Sequence, residues 1–369
     1  MKALRIVHTE SSLGWGGQEI RVLAESQGLI RRGHDVRLVC PRDARIHDEA
    51  ANWGVPVAAL PIGKKRLYAL RALSAWLRAD RPDVVNTHSS TDSWLAALAL
   101  RMHRSRVPIV RTRHISAPVR GGLLSRWLYM RAAARVITTG EALKRQLVAR
   151  NGFSALRIES VPTGIDAGRF RPGERSAMRA RFGLPADKTL VGIVATLRSW
   201  KGHLVLLEAM QRLPERIELV IVGDGPMREV LEQRIASLGL AGRVRMQGQQ
   251  ADVLPWLRAL DIFALPSYAN EGVPQALVQA MLVELPCVTT PVGGIPELAE
   301  HERTALLVAP RDAVALAAAI ERLADNEGLR RELGEAARKH CVEGYSYERM
   351  LDRMEAIFRD VCGKIGAAP

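Results

Sequence analysis

The sequence has little of what marks disulfide-rich, metal-binding or membrane-spanning proteins. Its 369 residues include four cysteines, at 40, 287, 341 and 362, with no CxxC pair and no histidine nearby at metal-ligand spacing. We therefore expect reduced thiols rather than a disulfide framework or a zinc site. Arginines interrupt every apolar stretch before it reaches the roughly 18 residues that a membrane-spanning helix needs. The first residues also lack the apolar core of a secretory signal peptide, so we expect a cytoplasmic protein.

Aromatic residues are few, and acidic residues are scarce in one half of the chain. Phe, Tyr and Trp make up 5% of the sequence. Residues 1–172 contain 29 Lys and Arg against 13 Asp and Glu, whereas residues 173–369 contain 24 against 26. The net charge of +14 thus arises in the N-terminal half, which indicates an anionic partner there: a phosphate-bearing acceptor, an acidic membrane surface or a nucleic acid. Because no recognised nucleic-acid-binding module accompanies this charge, we do not expect a nucleic-acid partner.

Apolar runs alternate with helical patterns along most of the chain. With 47% hydrophobic and 25% charged residues, the composition is that of a globular chain long enough for two cores. Short runs rich in Val, Ile and Leu, each followed by a helical segment, predict parallel sheets flanked by helices. The predicted strands are 4–9, 35–40, 56–60, 83–88, 108–113 and 135–139, then 190–196, 217–223, 243–248, 261–266 and 287–291. The predicted fold class is α/β, with two doubly wound, Rossmann-like domains.

Prolines and glycines mark a boundary between the two sets of strands. Pro162, Gly164, Pro172 and Gly173 cluster within residues 161–174, which favours a hinge there. We expect an N-terminal domain over residues 1–165 and a C-terminal domain over residues 166–345. The last segment, 346–369, is predicted to be a helix that packs back against the N-terminal domain. Its apolar stripe consists of Tyr347, Met350, Leu351, Met354 and Phe358.

The residues that follow the strands are the first candidates for a ligand site. In open α/β sheets, ligands bind beyond the carboxyl ends of the strands. After the first strand, Gly14, Gly16 and Gly17 let the backbone approach a ligand and precede a helix whose N-terminal amides suit an anion. The spacing is not GxGxxG, so no dinucleotide fingerprint is present. A tight turn without a ligand explains these glycines equally well.

Charged residues follow two strands of the second half. Arg198 and Lys201 lie on the loop after its first strand, where two cations suit a diphosphate, although solvated surface charges have the same pattern. Glu271 precedes a helix predicted to start near Pro274, and Gln279 lies eight residues further on. A carboxylate at this place is favoured by the positive end of the helix, so a simple helix cap is the alternative.

Together these segments resemble the retaining glycosyltransferases of family 4, which have the GT-B fold of two Rossmann-like domains that face a central cleft. The resemblance covers nearly the whole chain, and the order and spacing of its motifs are more specific than any single motif. It implies transfer of a sugar from a nucleotide-diphosphate donor with retention of the anomeric configuration. The motifs are GGQE (16–19), VPTGID (161–166), the KG loop (201–202), VGDGP (222–226), the Glu271 segment and VGGIPE (292–297).

The resemblance assigns roles at the donor. In the family's E-x7-E pair, the first glutamate approaches the sugar hydroxyls and the second holds the ribose. Glu271 matches the first, while Gln279 stands at the second position, where an amide can still hydrogen-bond a ribose diol. Lys201 matches the lysine of the family's diphosphate loop. The backbone amides near Gly272 and Val273 are expected to face the donor.

This chain departs from the family pattern at three positions. Ala195 and Thr196 stand where the family has the Gly-Arg of its G-R-L segment. We infer, independently of the family, that Arg198 supplies the missing cation. Pro274 stands where the family often has a glycine, so one backbone donor is lost there.

The resemblance also assigns residues of the N-terminal domain. Gly17 is expected near the donor diphosphate, and Gln18 and Glu19 of the same loop on the acceptor side. His114, at a strand end, resembles the histidine that faces the transferred sugar, and His88 is a candidate for the acceptor side. Without the resemblance, a lone strand-end histidine is more often structural.

These assignments give a predicted mechanism. Glu271, His114 and Lys201 are the predicted catalytic residues, because positive groups that meet the charge developing on the leaving phosphates lower the barrier. The chain contains no D-x-D sequence, so we expect neither a divalent metal nor a cofactor, the nucleotide-sugar being a substrate.

Two basic, amphipathic segments of the N-terminal half, 64–78 and 119–135, concern the acceptor. Each combines leucines and a tryptophan with several arginines or lysines, which suits an anionic lipid surface. Ordinary sheet-packed helices with a solvated basic rim are an equally open alternative. The sequence thus allows a glycan acceptor that is lipid-linked or a lipopolysaccharide precursor of the cell envelope, with the protein peripheral at the inner face of the cytoplasmic membrane.

Two other functions remain compatible with the sequence. A GT-B epimerase or hydrolase would act on the nucleotide-sugar itself and would need acid and base groups instead of an acceptor site. A non-catalytic nucleotide-sugar binder would account for the departures from the family pattern.

Overall fold

The structure is a computed structural model that describes residues 2–115 and 117–366, and for 364–366 the backbone only. Its contacts divide the chain into two compact units. Unit 1 comprises the residues up to Thr163 together with those from Glu348, and unit 2 comprises Gly164–Tyr347. These boundaries lie two residues from the predicted ones.

Unit 1 contains a parallel sheet of seven strands among its described residues, in the order β3-β2-β1-β4-β5-β6-β7. All six strands predicted in this half are present. The seventh, β7, has the sequence Ile-Glu-Ser, with one apolar residue, and therefore gave no apolar run. The strands are β1 (Arg5–Thr9), β2 (Asp35–Cys40), β3 (Val57–Ala59), β4 (Val84–Thr87), β5 (Ile109–Arg113), β6 (Arg135–Thr138) and β7 (Ile158–Ser160).

Helices cover both faces of this sheet, which is why β4 is buried along its whole length. One core lies against α3, α4 and α6, and another against α1 and α2. The helices are α1 (Gly17–Arg31), α2 (Arg45–Ala50), α3 (Leu67–Asp80), α4 (Ser90–Met102), α5 (Leu123–Trp127) and α6 (Glu141–Asn151). A π-helical turn, Leu128–Ala132, continues α5.

Unit 2 repeats the architecture with six described parallel strands in the order β10-β9-β8-β11-β12-β13. The strands are β8 (Thr189–Val194), β9 (Ile217–Val222), β10 (Val244–Met246), β11 (Ile262–Leu265), β12 (Cys287–Thr289) and β13 (Leu306–Leu307). The two residues of β13 are too few for a sequence signal. The helices are α7 (Arg175–Phe182), α8 (His203–Met210), α9 (Arg228–Ser237), α10 (Leu254–Ala259), α11 (Gln275–Leu282), α12 (Ile295–Leu298), α13 (Ala313–Asp325) and α14 (Glu327–Gly344).

The last helix, α15 (Tyr347–Gly366), leaves unit 2 at its first residue and packs on unit 1. Its predicted apolar stripe is buried from Met350 to Phe358. The Phe358 ring meets the ring of His8 edge-on at 6.3 Å between centroids. Arg32 of unit 1 forms ion pairs with Glu348 and Asp352 at 2.6 and 2.8 Å. Burial of the stripe therefore joins the chain's end to its beginning.

The strand order of each sheet reverses once, and the reversal fixes where a ligand can bind. In unit 1 the reversal lies between β1 and β4, and in unit 2 between β8 and β11. At such a point the loops after the two central strands leave in opposite directions and open a crevice at the carboxyl ends. The predicted fold class, two doubly wound parallel sheets, is confirmed. None of the described helices combines the length and apolar character that crossing a bilayer requires.

Candidate active site

An ion pair stands at the strand reversal of unit 2. Lys201 ends a short 3-10 turn after β8, and Glu271 lies in the loop after β11. The Lys201 Nζ donates to both carboxylate oxygens of Glu271, at 2.7 and 3.0 Å. The Ser267 hydroxyl donates to Glu271 Oε1 at 2.6 Å. Glu271 is only 4% exposed, whereas the side chain of Lys201 keeps 20% of its surface in solvent, so the lysine can meet a ligand.

A glycine holds the two loops together. Gly202 has φ +80°, and a Cβ there would lie 2.0 Å from the carbonyl oxygen of Pro266. Only glycine fits this backbone contact. The Tyr268 amide donates to the carbonyl of Trp200 at 2.9 Å, which joins the same two loops a few residues away. The KG pair of the sequence thus provides a cation and the close approach that aims it at Glu271.

The glycine pair of VGGIPE supports the loop of Glu271. A Cβ on Gly293, whose φ is +61°, would lie 2.1 Å from the Glu271 carbonyl oxygen, and one on Gly294 would lie 2.7 Å from Gly272. The Gly294 amide donates to the Glu271 carbonyl at 3.3 Å. The motif after β12 therefore fixes the backbone that carries Glu271.

Two backbone donors of this loop, the amides of Gly272 and Val273, have no hydrogen-bond acceptor in the described part of the chain. They immediately precede α11, which begins at Gln275 with Pro274 as its N-cap, one residue later than predicted. The positive end of the helix adds to the field at the two amides. Gln279 is half-buried on this helix, and its side-chain amide has no partner in the described part of the chain.

The remaining cation of the loop is exposed. The Arg198 guanidinium carbon lies 5.8 Å from the Trp200 ring centroid, and no carboxylate of the described residues pairs with it. Its neighbour Leu197 is buried and donates its amide to the Asp224 carbonyl at 3.0 Å. The VGDGP loop after β9 therefore anchors the segment from which Arg198 projects.

Glu10, which the sequence did not single out, lies at the strand reversal of unit 1. Glu10 directly follows β1, is fully buried and accepts a hydrogen bond from the Ser12 amide at 2.8 Å. The side-chain amide of Gln18 lies 2.5 Å from its Oε2, and the Ser89 hydroxyl donates to its Oε1. Gln18 is thus held by a buried carboxyl group, while Glu19 is itself buried. Gly17, the first residue of α1, is exposed.

Two buried carboxyl groups with raised pKa values lie in this network. Burial, and secondarily the Asp92 carboxylate, raises the pKa of Glu10 to about 8. Burial raises the pKa of Asp92 to about 6, although its bonds to Thr9, His88 and Ser89 oppose the shift. Asp92 also completes a capping box with Ser89 at the start of α4. Near neutral pH, Glu10 therefore carries a proton.

Three histidines form a hydrogen-bonded row beside this network. His8 Nδ1 and His88 Nε2 lie 2.9 Å apart, and His88 Nδ1 and His114 Nε2 also lie 2.9 Å apart. Burial, assisted by the Arg21 cation, lowers the pKa of His8 to about 3. Burial also lowers the pKa of His88 and of His114 well below the ordinary value of 6.5. All three rings are therefore neutral at pH 7.

Neutrality couples the tautomers of the row. A neutral imidazole has one N–H, and each bond between two rings uses one hydrogen. If His88 donates to His114, then His8 must donate to His88, and His114 carries its hydrogen on Nδ1. Reversing one bond reverses the other and leaves His114 Nδ1 as an acceptor. The two inner histidines thus fix what the outer nitrogen of His114 can do.

The structure places His88 between the two other histidines, whereas the sequence predicted a contact with the acceptor for it. It is 4% exposed, and both ring nitrogens are occupied by other histidines. The prediction for an acceptor contact by His88 remains untested, but the geometry favours an action through His114. Among the described residues, no group of three or more His, Cys, Asp or Glu side chains is arranged to hold a metal ion.

The raised pKa of Glu10 predicts a pH dependence of stability. Between its ordinary pKa of about 4.5 and the folded-state value of about 8, the folded chain binds a proton that the unfolded chain has lost. The free energy of unfolding therefore falls as the pH rises through this window. Glu10→Gln removes the effect, so we expect the variant's Tm to exceed that of the wild type by about 4 °C more at pH 8.5 than at pH 5.

Differential scanning calorimetry at both pH values measures this, with exposed Asp43→Asn as the matched control for loss of one carboxylate. A Tm difference that does not change with pH would show that Glu10 is ionised in the folded protein.

Comparison with known proteins covers both units. The family model described as Glycosyl transferases group 1 matches residues 174–340, and that described as Glycosyltransferase Family 4 matches residues 15–169. A D-inositol 3-phosphate glycosyltransferase of Xylanimonas cellulosilytica is 29% identical over 88% of this chain and 87% of that protein. One of Mycobacterium tuberculosis is 30% identical over 77% of this chain, which spans 63% of that protein's length.

Among solved structures, Anabaena Alr3699/HepE in complex with UDP-glucose superposes with a TM-score of 0.86. The superposition covers 97% of this chain and all of that chain at 20% sequence identity. At this identity the likeness establishes the fold alone.

Proposed function

Because this chain belongs to the group 1, family 4 glycosyltransferases and has the GT-B fold, we propose that it transfers a sugar from a nucleotide-diphosphate donor. The observation that carries the proposal is the Lys201–Glu271 pair at the strand reversal of unit 2, beside two free backbone amides. Anabaena Alr3699/HepE, which shares the fold, was solved with UDP-glucose.

In this proposal, unit 2 stabilises the leaving group. Negative charge grows on the nucleoside diphosphate as the bond to the sugar breaks. Lys201 and Arg198 supply full positive charges there, and the amides of Gly272 and Val273 donate hydrogen bonds from a helix start. Because Lys201 and the two amides lie on loops fixed by glycine contacts, little reorganisation of these three donors accompanies the reaction. We propose that they serve without a divalent ion.

Glu271 plays two parts in the proposal. Its carboxylate aims the Lys201 ammonium group, and it accepts hydrogen bonds from hydroxyls of the sugar. Its bond from Ser267 keeps the carboxylate in one rotamer. Gln279, on the helix that follows, hydrogen-bonds the ribose diol with its free side-chain amide.

Unit 1 supplies the groups for the sugar and the acceptor. We assign contact with the transferred sugar to His114 and contact with the diphosphate to Gly17. His88 and His8 act as positioning residues that set the tautomer of His114. We assign Gln18, held by Glu10 and Ser89, and Glu19 to the acceptor side.

For the acceptor we propose an anionic glycan or polyol derivative, and in particular a lipid-linked glycan of the cell envelope, such as a lipopolysaccharide precursor. The charge excess of residues 1–172 supports an anionic acceptor. The relatives from Xylanimonas cellulosilytica and Mycobacterium tuberculosis are named for inositol 3-phosphate, which carries a phosphate group. A soluble phosphorylated polyol is therefore the second candidate.

Exposed leucines support a peripheral place on an anionic membrane. Leu123 and Leu124, at the start of α5, are 86% and 73% exposed, and Leu67 and Tyr68 at the start of α3 are similarly exposed. Basic residues of both segments flank them along the chain. Burying an exposed leucine in lipid gains about 1.5–3 kcal/mol, and each nearby cation adds about 1 kcal/mol at an anionic surface.

We expect the protein to sediment with phosphatidylglycerol vesicles at low salt, and not with phosphatidylcholine vesicles. Leu123→Ser should weaken this binding by about tenfold. Leu156→Ser is the matched control, because Leu156 is 87% exposed but lies in the 3-10 turn before β7. No sedimentation with phosphatidylglycerol vesicles at low salt would remove the membrane from the proposal.

Product analysis tests the reaction itself. Nucleotide-sugars are incubated with the protein, with and without inositol phosphate or a lipid-linked glycan, and the products are separated by chromatography and mass. A transferase forms a glycosylated acceptor with the donor's anomeric configuration. Turnover of the nucleotide-sugar without acceptor would instead support an epimerase or hydrolase. Binding without any product would support a non-catalytic binder.

A further inference from the structure

An arginine-lined pocket lies at the amino edge of the unit 1 sheet. It has a volume of about 450 Å³ and is enclosed by the end of α4, the start of β5 and the π-helical turn after α5. Its walls include Leu100, Val107 and Ile109, and its charged residues are Arg101, Arg104 and Arg131. Glu10 and His114 follow the carboxyl ends of β1 and β5, so the pocket stands at the opposite edge of the sheet from them. It is therefore separate from the candidate active site.

The three arginines have no anion of the chain to neutralise them. No aspartate or glutamate lines the pocket. Arg101, Arg104 and Arg131 are exposed, and none forms an ion pair within the described residues. Three guanidinium groups around one space repel each other unless an anion joins them. Such groups match the oxygens of a phosphate through bidentate hydrogen bonds.

The backbone at Arg104 supports a role for its side chain. Arg104 has φ +50°, and it occupies the left-handed position of a helix end in which the Ser105 amide donates to Leu100 and the Arg104 amide to Arg101. Glycine is the usual residue there because a side chain is strained by about 1 kcal/mol. The chain tolerates this strain and places a cation at the pocket.

Helix electrostatics explains only part of the cluster. Cations near a helix carboxyl terminus are favourable, which accounts for Arg101 and Arg104 at the end of α4. Arg131 comes from the turn after α5 and is not explained in this way. An arginine from a second segment converges on the same space, as a binding site for an anion requires.

An aromatic wall completes the pocket. The Trp127 ring lines it and stacks on Trp94 at 5.6 Å between centroids, and the Lys65 Nζ lies 5.6 Å from the Trp94 ring centroid. The pocket therefore combines three cations with an aromatic side chain. This combination suits a phosphate that carries an organic substituent.

We propose that this pocket binds a phosphate ester through Arg101, Arg104 and Arg131. The ester is either the headgroup of an anionic phospholipid or a soluble phosphate ester, since both present the same group. The site does not depend on the proposed transfer reaction, because its residues lie away from those assigned to the donor and to the transferred sugar. Trp127 and Arg131 belong to segment 119–135, for which we proposed contact with an anionic membrane.

Binding to phosphatidylglycerol vesicles and to glycerol 3-phosphate tests the proposal, with three variants. The triple variant R101A/R104A/R131A should lose affinity for the bound probe by about tenfold or more. The control R42A/R145A/R150A removes the same charge from exposed positions elsewhere in unit 1 and should stay within about threefold of the wild type.

Arg104→Gly distinguishes a loss of affinity from a loss of stability, because glycine relieves the left-handed strain while removing the cation. We expect its Tm to equal or exceed that of the wild type and its affinity to fall by about threefold or more. Competition of glycerol 3-phosphate with the vesicles would identify a soluble ester as a ligand, and binding to vesicles alone would identify the lipid headgroup. Equal losses in the triple variant and the control, for both probes, would overturn the proposal.

Discussion

We expect Lys201→Ala to reduce the turnover of the proposed sugar transfer by about 10²-fold or more, because it removes one preorganised group that stabilises developing charge. The Nζ of Lys201 is the one full positive charge that the described structure places at the strand reversal in contact with Glu271. Arg198 is exposed and not held by a carboxylate, so it cannot replace a fixed ammonium group. Steady-state kinetics with saturating donor measures the loss in kcat.

The substitution also leaves Glu271 buried without its partner, and breaking a buried pair can cost about 3–5 kcal/mol of stability. The kinetics therefore need a melting curve of each variant, and the assay temperature must lie below both transitions. Lys339→Ala, on the exposed side of α14, is the matched control and should retain wild-type turnover. Turnover of Lys201→Ala within twofold of the wild type would remove this residue from the mechanism.

Glu271→Gln should lower kcat by a similar factor, about 10²-fold. The amide keeps the shape of the side chain and can still accept the hydrogen bond from Ser267, but it loses the charge that aims Lys201. Because Glu271 is 4% exposed, the neutral amide is also easier to bury, so the fold should survive. Glu343→Gln, at an exposed position of α14, is the control.

The double variant K201A/E271Q tests whether the two side chains act together. If the two residues act as one unit, it should lose about as much activity as either single variant. Losses that multiply to about 10⁴-fold would mean that the two side chains act independently, contrary to the geometry of the pair.

The sheets were predictable because their strands are buried on both faces and are therefore rich in apolar residues. β11, whose four residues Ile262–Leu265 are all apolar and all buried, shows the signal clearly. β7 escaped prediction because only Ile158 of its three residues is apolar, and β13 because it is two residues long. Each is defined by the neighbour with which it pairs.

The candidate site of unit 2 was predictable in its residues but not in its contacts. Lys201 and Glu271 are 70 residues apart in the chain, and their contact follows from the pairing of β8 with β11. The sequence indicated the glycines of VGGIPE as part of a motif of the family resemblance. Their contact with the Glu271 backbone depends on how β12 lies beside β11.

Glu10 and His8 were missed for a related reason. A histidine inside an apolar strand and a carboxylate directly after it look like ordinary residues until β4 is placed next to β1. Only then do His88 and Ser89 come within hydrogen-bond distance of them. Inspecting the first residue after every predicted strand would have found Glu10, since the carboxyl ends of the strands form the ligand edge.

The most direct test of the central claim, a nucleotide-diphosphate-sugar site built on Lys201, is a calorimetric titration of the wild type and of Lys201→Ala. The ligands are UDP, GDP, ADP and CMP and the corresponding sugar nucleotides. We predict that one base binds the wild type, and that Lys201→Ala binds it at least about tenfold more weakly, as for loss of a charge-assisted contact. No binding by any nucleotide, or equal affinities of wild type and variant, would contradict the account.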